Sequence, residues 1–169
     1  SQHFPANRGG RYVAGSRVST DLELFDWHAQ ACADLPADQA IQRYRAALDL
    51  VTGRPFSYPN AARASYGWVD FEHHATAWEL RIAGVAQACA ALCLDQGDAG
   101  TAIAVLRGVV QSLPLDSALT EALMRAHVAD GDRAGAERVY REHATALAQA
   151  DLGDPDDSIE QVRLDAHAS

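Results

Sequence analysis

Lysine is absent from this sequence, so all 14 of its Lys/Arg-type charges are arginines, set against 23 aspartates and glutamates for a formal net charge of −9. That balance disfavours the chain as the part that grips nucleic acid, because neutralising phosphates takes clustered basic side chains. Cysteine is scarce too: Cys32, Cys89 and Cys93 are odd in number and show no CxxC spacing, which argues against a disulfide framework and against a zinc site. Cys89 and Cys93 stand four apart on an apolar helical face, where a free thiol behaves as a small hydrophobe, and a reducing cytosol suits them. No run approaches the roughly 20 apolar residues of a membrane span, and the opening Ser1-Gln2-His3-Phe4-Pro5 has no signal-like pattern. The opening also lacks Met, so the chain is expected to be a piece of something longer. Neither a Gly-rich phosphate loop nor a G-x-S-x-G elbow occurs.

What is present is enough apolar material, 48% of 169 residues, to build a core without a metal or disulfide. Residues 1–20 hold Pro5, Gly9-Gly10, Gly15 and the β-prone step Arg11-Tyr12-Val13, and read as loop with at most a single strand. Ser19, Thr20 and Asp21 offer caps for a helix with Leu22, Phe25, Ala29 and Cys32 on one face, stopped by Leu35-Pro36. A second helix places Ile41, Tyr44, Ala47 or Leu48, and Val51 inward and ends at Thr52-Gly53 and Pro55. A loop over 53–67 leads to the strongest periodicity in the chain. Trp68, Phe71, Ala75, Trp78, Ile82, Val85, Cys89 and Leu92 step by three and four, which predicts a helix of nearly thirty residues, about 43 Å long. Gly84 is a candidate bend in it.

Two corners then look alike. Gln96-Gly97-Asp98 and Asp130-Gly131-Asp132 each offer a glycine to close one helix and an aspartate to cap the next. They lie 34 residues apart, and Ala102 with Ala136 and Leu106 with Tyr140 share that offset. A 34-residue helix–turn–helix unit is the period of the tetratricopeptide repeat. Gly97, Ala102, Leu106 and Pro114 match that pattern; the second copy, with Gly131, Ala136 and Tyr140, lacks the final Pro. A degenerate third copy of the second helix is Ala40-Ile41-Gln42-Arg43-Tyr44. The fold expected is all-α, an array of antiparallel helix pairs in a right-handed superhelix like that of tetratricopeptide repeats, with a generic helical bundle as the competing reading.

Several segments occur in an order that resembles a known family. They are Gly10-Arg11-Tyr12, the Thr20-Asp21 helix start, Tyr44 to Phe56 with its Gly53-Arg54-Pro55 corner, Trp68 to Glu72, and Leu94-Asp95-Gln96-Gly97-Asp98. Leu113-Pro114-Leu115-Asp116, Leu123-Met124-Arg125-Ala126, Gly131 to Ala136 and Val139-Tyr140-Arg141-Glu142 follow. The likeness is to the bacterial transcriptional activator domain of SARP-type antibiotic-pathway regulators, and it is strongest from Leu94 to Leu147. A departure is the acidic Leu152-Gly153-Asp154-Pro155-Asp156 near the end. The resemblance implies a helical domain over 21–169 placed after a winged-helix DNA-binding module, with 1–20 as the exit segment of that module. It further implies protein partners, either a second copy or the transcription machinery, with DNA reached only through the upstream module. The alternative is an adaptor or effector-sensing domain of the variant found in envelope-linked proteins with a LysM module.

Seven histidines invite a search for metal or catalytic sites. Glu72, His73, His74 and Glu79 form the densest set, but the five-residue step from His74 to Glu79 is poor for a shared ion on a helix. His127 and His143 sit on the two helices of one repeat and are placed to meet; both read as packing or surface residues. No catalytic, cofactor-binding or metal-binding residue is assigned, no cofactor is expected, and the chain reads as a non-enzymatic, cytoplasmic interaction domain without membrane contact of its own.

Overall fold

Thr20 opens the helical part of the chain with a reciprocal cap. Its Oγ1 accepts from the Glu23 N–H at 3.1 Å, and Glu23 Oε2 accepts from the Thr20 N–H at 2.9 Å. This Thr-x-x-Glu box satisfies two amides that a helix start otherwise leaves orphaned, and α1 follows as Asp21–Gln30. The computed structural model describes residues 6–8, 11–13, 19–30, 32, 34–56 and 71–168. Among them, α1 is followed by α2 Ala37–Leu48, α3 Phe71–Asp95, α4 Ala99–Ser112, α5 Ser117–Ala129, α6 Arg133–Gln149 and α7 Asp157–Ala168. Ahead of α1, β1 Ala6–Arg8 pairs antiparallel with β2 Arg11–Val13, Asn7 opposite Tyr12. The strand expected at Arg11–Val13 is therefore one arm of a two-stranded ribbon, and the remaining elements are helical.

The two Gly-Asp corners are built alike. At the first, the Asp98 N–H donates to the Cys93 carbonyl at 2.8 Å and the Gly97 N–H to that of Leu94 at 2.9 Å, with Gly97 at φ +75°. At the second, the Asp132 N–H donates to His127 at 2.9 Å and the Gly131 N–H to Val128 at 3.0 Å, with Gly131 at φ +77°. Both are Schellman closures, in which a left-handed residue lets the chain turn back onto the last carbonyls. The aspartates then cap the next helix, Asp98 Oδ1 accepting from the Thr101 N–H at 2.9 Å and Asp132 Oδ1 from the Gly135 N–H at 2.8 Å. Asp116 does the same for α5, from the Leu119 N–H at 2.8 Å. A third closure ends α6, where the Leu152 N–H reaches Leu147 at 3.0 Å and Asp151 takes φ +57° without being glycine.

Helix α3 packs against α2, α4 and α5, and α6 against α5 and α7. Among its described side chains, α3 buries Ile82, Ala83, Ala86, Cys89, Ala90 and Cys93. Ile82 and Cys89 of the expected stripe are buried, but the buried arc is broader than the stripe: Val85 and Leu92 are only half-buried, whereas Ala86 is fully enclosed beside Cys93. A helix with neighbours on three sides buries an arc wider than one stripe, and its small residues sit where the neighbours come closest. The helix runs 25 residues, about 37 Å; Trp68 and the loop residues Pro59 and Gly67 lie outside the described residues. By length and composition alone the segment His74–Asp95, with an 18-residue stretch of mean hydropathy 1.3, is long and apolar enough to cross a membrane, but its buried arc belongs to the core shared with Leu106, Leu119 and Met124.

Ala102 and Ala136 are buried at the helix contacts of the two repeats, with Leu106 enclosed and Tyr140 half-buried one turn on. The end of the array is pinned by Arg163, whose Nε lies 2.9 Å from Glu137 Oε2 and whose guanidinium sits 4.5 Å over the Tyr140 ring. Ala136→Leu should overpack this contact by about 1–3 kcal/mol, and Gly131→Val should cost about 1–2 kcal/mol at its left-handed backbone. Gly84, by contrast, is an exposed mid-helix position where an added Cβ meets nothing within 4 Å, so Gly84→Ala should stabilise by about 0.5–1 kcal/mol. Thermal melts followed by circular dichroism check all three, with the exposed Arg133→Gln as the neutral reference. An Ala136→Leu variant that melts like the parent would overturn the repeat alignment.

Candidate functional site

Helices α4, α5 and α6 enclose a groove of about 550 Å³, within the size range of small-ligand pockets. Helical spacing of three and four residues brings Arg107, Val110 and Gln111 of α4 to one wall and Val139, Glu142 and His143 of α6 to another, with Leu123 of α5 between them. Arg138 completes the rim. Guanidinium groups therefore stand over an apolar floor in a protein of net negative charge.

The two arginines are held by one polar chain. Arg107 Nη2 lies 3.3 Å from His127 Nε2, His127 Nδ1 lies 3.0 Å from Asp132 Oδ2, and Arg138 Nη2 approaches the same oxygen at 3.9 Å. A guanidinium only donates, so His127 Nε2 must accept and the ring proton sits on Nδ1, directed at Asp132. His127 is 2% exposed. Burial holds its pKa below the ordinary value, against the pull of Asp132, and Arg107 and Arg138 lower it further. The Asp132 carboxyl is held below the usual range chiefly by the Gly135 amide and then by His127. Gly135 has a separate reason to be glycine: a Cβ there would collide with the His127 ring and the Asp132 carboxylate.

His143 has different partners. Its Nδ1 lies 3.1 Å from the Pro114 carbonyl and 3.2 Å from Thr120 Oγ1. Thr120 spends its own hydroxyl proton on the Asp116 carbonyl at 2.9 Å. Two acceptors thus meet Nδ1, which must carry the hydrogen, and Nε2 is left as a buried acceptor without a protein partner. His127 and His143 consequently do not form one site; each locks a different loop onto the helix pair.

Of the other residues considered from the sequence, His74 is exposed and Glu79 is paired with Arg54 at 2.6 Å. Glu72 and His73 lie on α3, and their side chains are outside the described residues. No group of three metal-ligating side chains occurs among the described residues. All three thiols are buried and unpaired by disulfide. Burial, with the neighbouring Cys93 adding to it, pushes Cys89 up to about 12, and burial raises Cys32 and Cys93 as well, the opposite of an activated nucleophile. Arg107 and Arg138, which dominate the groove, carried no local sequence signal, because their relation runs through His127, 20 residues from Arg107. A second cavity, about 490 Å³, lies at the Gly53-Arg54-Pro55 corner beside Phe25 and Trp78, whose rings meet edge to face at 5.7 Å.

The model of the bacterial transcriptional activator domain family matches residues 20–164. The chain belongs to this family. The match opens on Thr20, the cap of α1, and closes within α7, so it takes in α1 to α6 whole and the first part of α7. It makes the array a helical, tetratricopeptide-like regulatory domain of the transcriptional activator class. Neither a curated protein nor a solved structure matched the chain.

Two measurements follow for the activator domain. Unfolded His127 titrates near 6.5 and the folded ring below it, so its contribution is complete above 6.5 and is lost as the pH falls through the lower folded value. The melting temperature should therefore decline as the pH drops below 6.5, and His127→Gln should flatten that part of the profile while lowering the melting temperature at neutral pH. An unchanged profile in the variant would contradict the assignment. The thiols should be inert to a thiol reagent at pH 8 in the native protein, and all three should react once it is denatured; fast labelling of the native chain would place a thiol at the surface.

Proposed function

We propose that this domain is the protein-interaction and regulatory part of a bacterial transcription regulator, acting by binding rather than by catalysis. Its partner is a second copy of itself or the transcription machinery. The observation that carries this reading is the family match over 20–164. Residues 1–20 serve as the exit segment of an upstream winged-helix-like module, a reading supported by the ribbon of Ala6–Arg8 and Arg11–Val13 and by Arg8, Arg11 and Arg17, which precede the first acidic residue, Asp21. The net charge of −9 supports leaving DNA contact to that module, and a place beside RNA polymerase makes the protein cytoplasmic.

The test uses the purified chain in two titrations. Against duplex DNA at physiological salt it should bind no more tightly than the roughly micromolar or weaker range of non-specific contacts. In sedimentation alone and with purified bacterial RNA polymerase, it should form a dimer or co-sediment. Tight DNA binding with a steep salt slope would overturn the division of labour, and a monomer that ignores the polymerase would overturn the interaction reading.

A further inference from the structure

We propose that the groove between α4, α5 and α6 is a binding site for a small organic acid that carries a hydroxyl or N–H donor beside an apolar body. This deepens the regulatory reading above by giving the domain an effector.

Each part of that ligand answers a feature of the groove. Arg107 and Arg138 stand at its rim from two different helices, and guanidinium groups are the side chains suited to a carboxylate. Both arginines are exposed at the surface; Arg107 is oriented by His127 Nε2 at 3.3 Å, and Arg138 approaches Asp132 at 3.9 Å. Val110, Leu123 and Val139 supply the apolar surface between them. His143, 3% exposed, forms part of the wall. Its Nδ1 is committed to Pro114 and Thr120, which leaves the Nε2 lone pair unpartnered. A buried acceptor without a donor is costly, and native proteins rarely keep one without a use. A hydroxyl or N–H on the ligand satisfies it. A bare anion does not, because Nε2 offers a lone pair rather than a proton.

The probe is 4-hydroxybenzoate, which has the carboxylate, the apolar ring and the hydroxyl. Benzoate lacks the donor and 4-hydroxybenzyl alcohol lacks the anion. Each is titrated into the ¹⁵N-labelled chain, reading backbone shifts for affinity and the His143 imidazole nitrogens for hydrogen bonding. The expected result is saturable binding of 4-hydroxybenzoate that moves the Nε2 resonance from the free-acceptor to the bonded position. Benzoate and the alcohol should each bind about tenfold more weakly, the factor that about 1.4 kcal/mol represents, and benzoate should leave Nε2 unmoved. Arg107→Gln/Arg138→Gln, checked for folding by its melt, should weaken 4-hydroxybenzoate about a hundredfold. Equal affinity for all three probes, an unshifted Nε2, full affinity in the double variant, or no saturable binding at millimolar concentration would each overturn the proposal. The titration needs no partner protein, so its failure is distinct from failure of the polymerase and self-association measurement.

Discussion

Every helix that ends must find partners for its last carbonyls, and every helix that begins must find them for its first amides. In this chain one three-residue unit meets both demands. At Gly97-Asp98 and again at Gly131-Asp132, the left-handed glycine turns the chain so that the aspartate amide returns to the preceding helix, while the aspartate carboxylate caps the following one. Because both hydrogen-bond sets meet on one residue, the angle between successive helices is fixed locally. Ala102 and Ala136, each four residues past the capping aspartate, then arrive at the helix contacts with side chains small enough to close them. The packing of the array depends on these corners, since a helix pair that leaves its corner at another angle would not bring those alanines into register.

The second corner carries an additional constraint. Asp132 has one carboxylate oxygen on the Gly135 amide and the other on His127, so the cap and the buried imidazole are parts of one interaction. The closeness of that ring is what removes every side chain from position 135. At the first corner the equivalent position holds Thr101, whose amide receives the same cap from Asp98 but faces no buried imidazole. The two corners therefore share their backbone logic and differ in what is built on it: one is purely structural, and the other orients the guanidinium of a neighbouring helix.

That difference explains what the sequence could and could not tell. Caps and closures are local, so Gly-Asp at a 34-residue offset was readable, as were the small residues four positions on. The seam of α3 was harder. Periodicity favoured the bulkier Val85 and Leu92 and put Cys93 on the apolar face, but contact with three neighbouring helices buried Ala83, Ala86 and Ala90 as well, and bulk is a poor guide where helices approach closely. His127 and His143 were readable as members of the two helices of one repeat, but not as buried ones. Their partners were not, because Arg107 is 20 residues from His127 and Pro114 is 29 from His143, and no spacing rule reaches across two helix turns in space. The ribbon at the start was half legible: Arg11–Val13 has strand-forming residues, whereas Ala6–Arg8 has little to mark it except the partner it meets.

The polar chain of α4, α5 and α6 also bears on how such a domain can respond to anything bound to it. Arg107 belongs to the first repeat, His127 and Asp132 to the hinge of the second, and Arg138 to its last helix. The groove rim and the corner that sets the angle between α5 and α6 therefore share Asp132 and His127. In a helical array each unit contacts mainly its neighbours, so a change at one corner passes along the stack through successive interfaces rather than dissipating in a single core. Here the next interface is α7, which packs on both α5 and α6 and is pinned by Arg163 to Glu137 and Tyr140. Glu137 and Arg138 are adjacent on α6, one tied to the end of the array and the other to the groove. Helix α6 thus carries on neighbouring residues both the contact that holds α7 and a guanidinium of the groove rim.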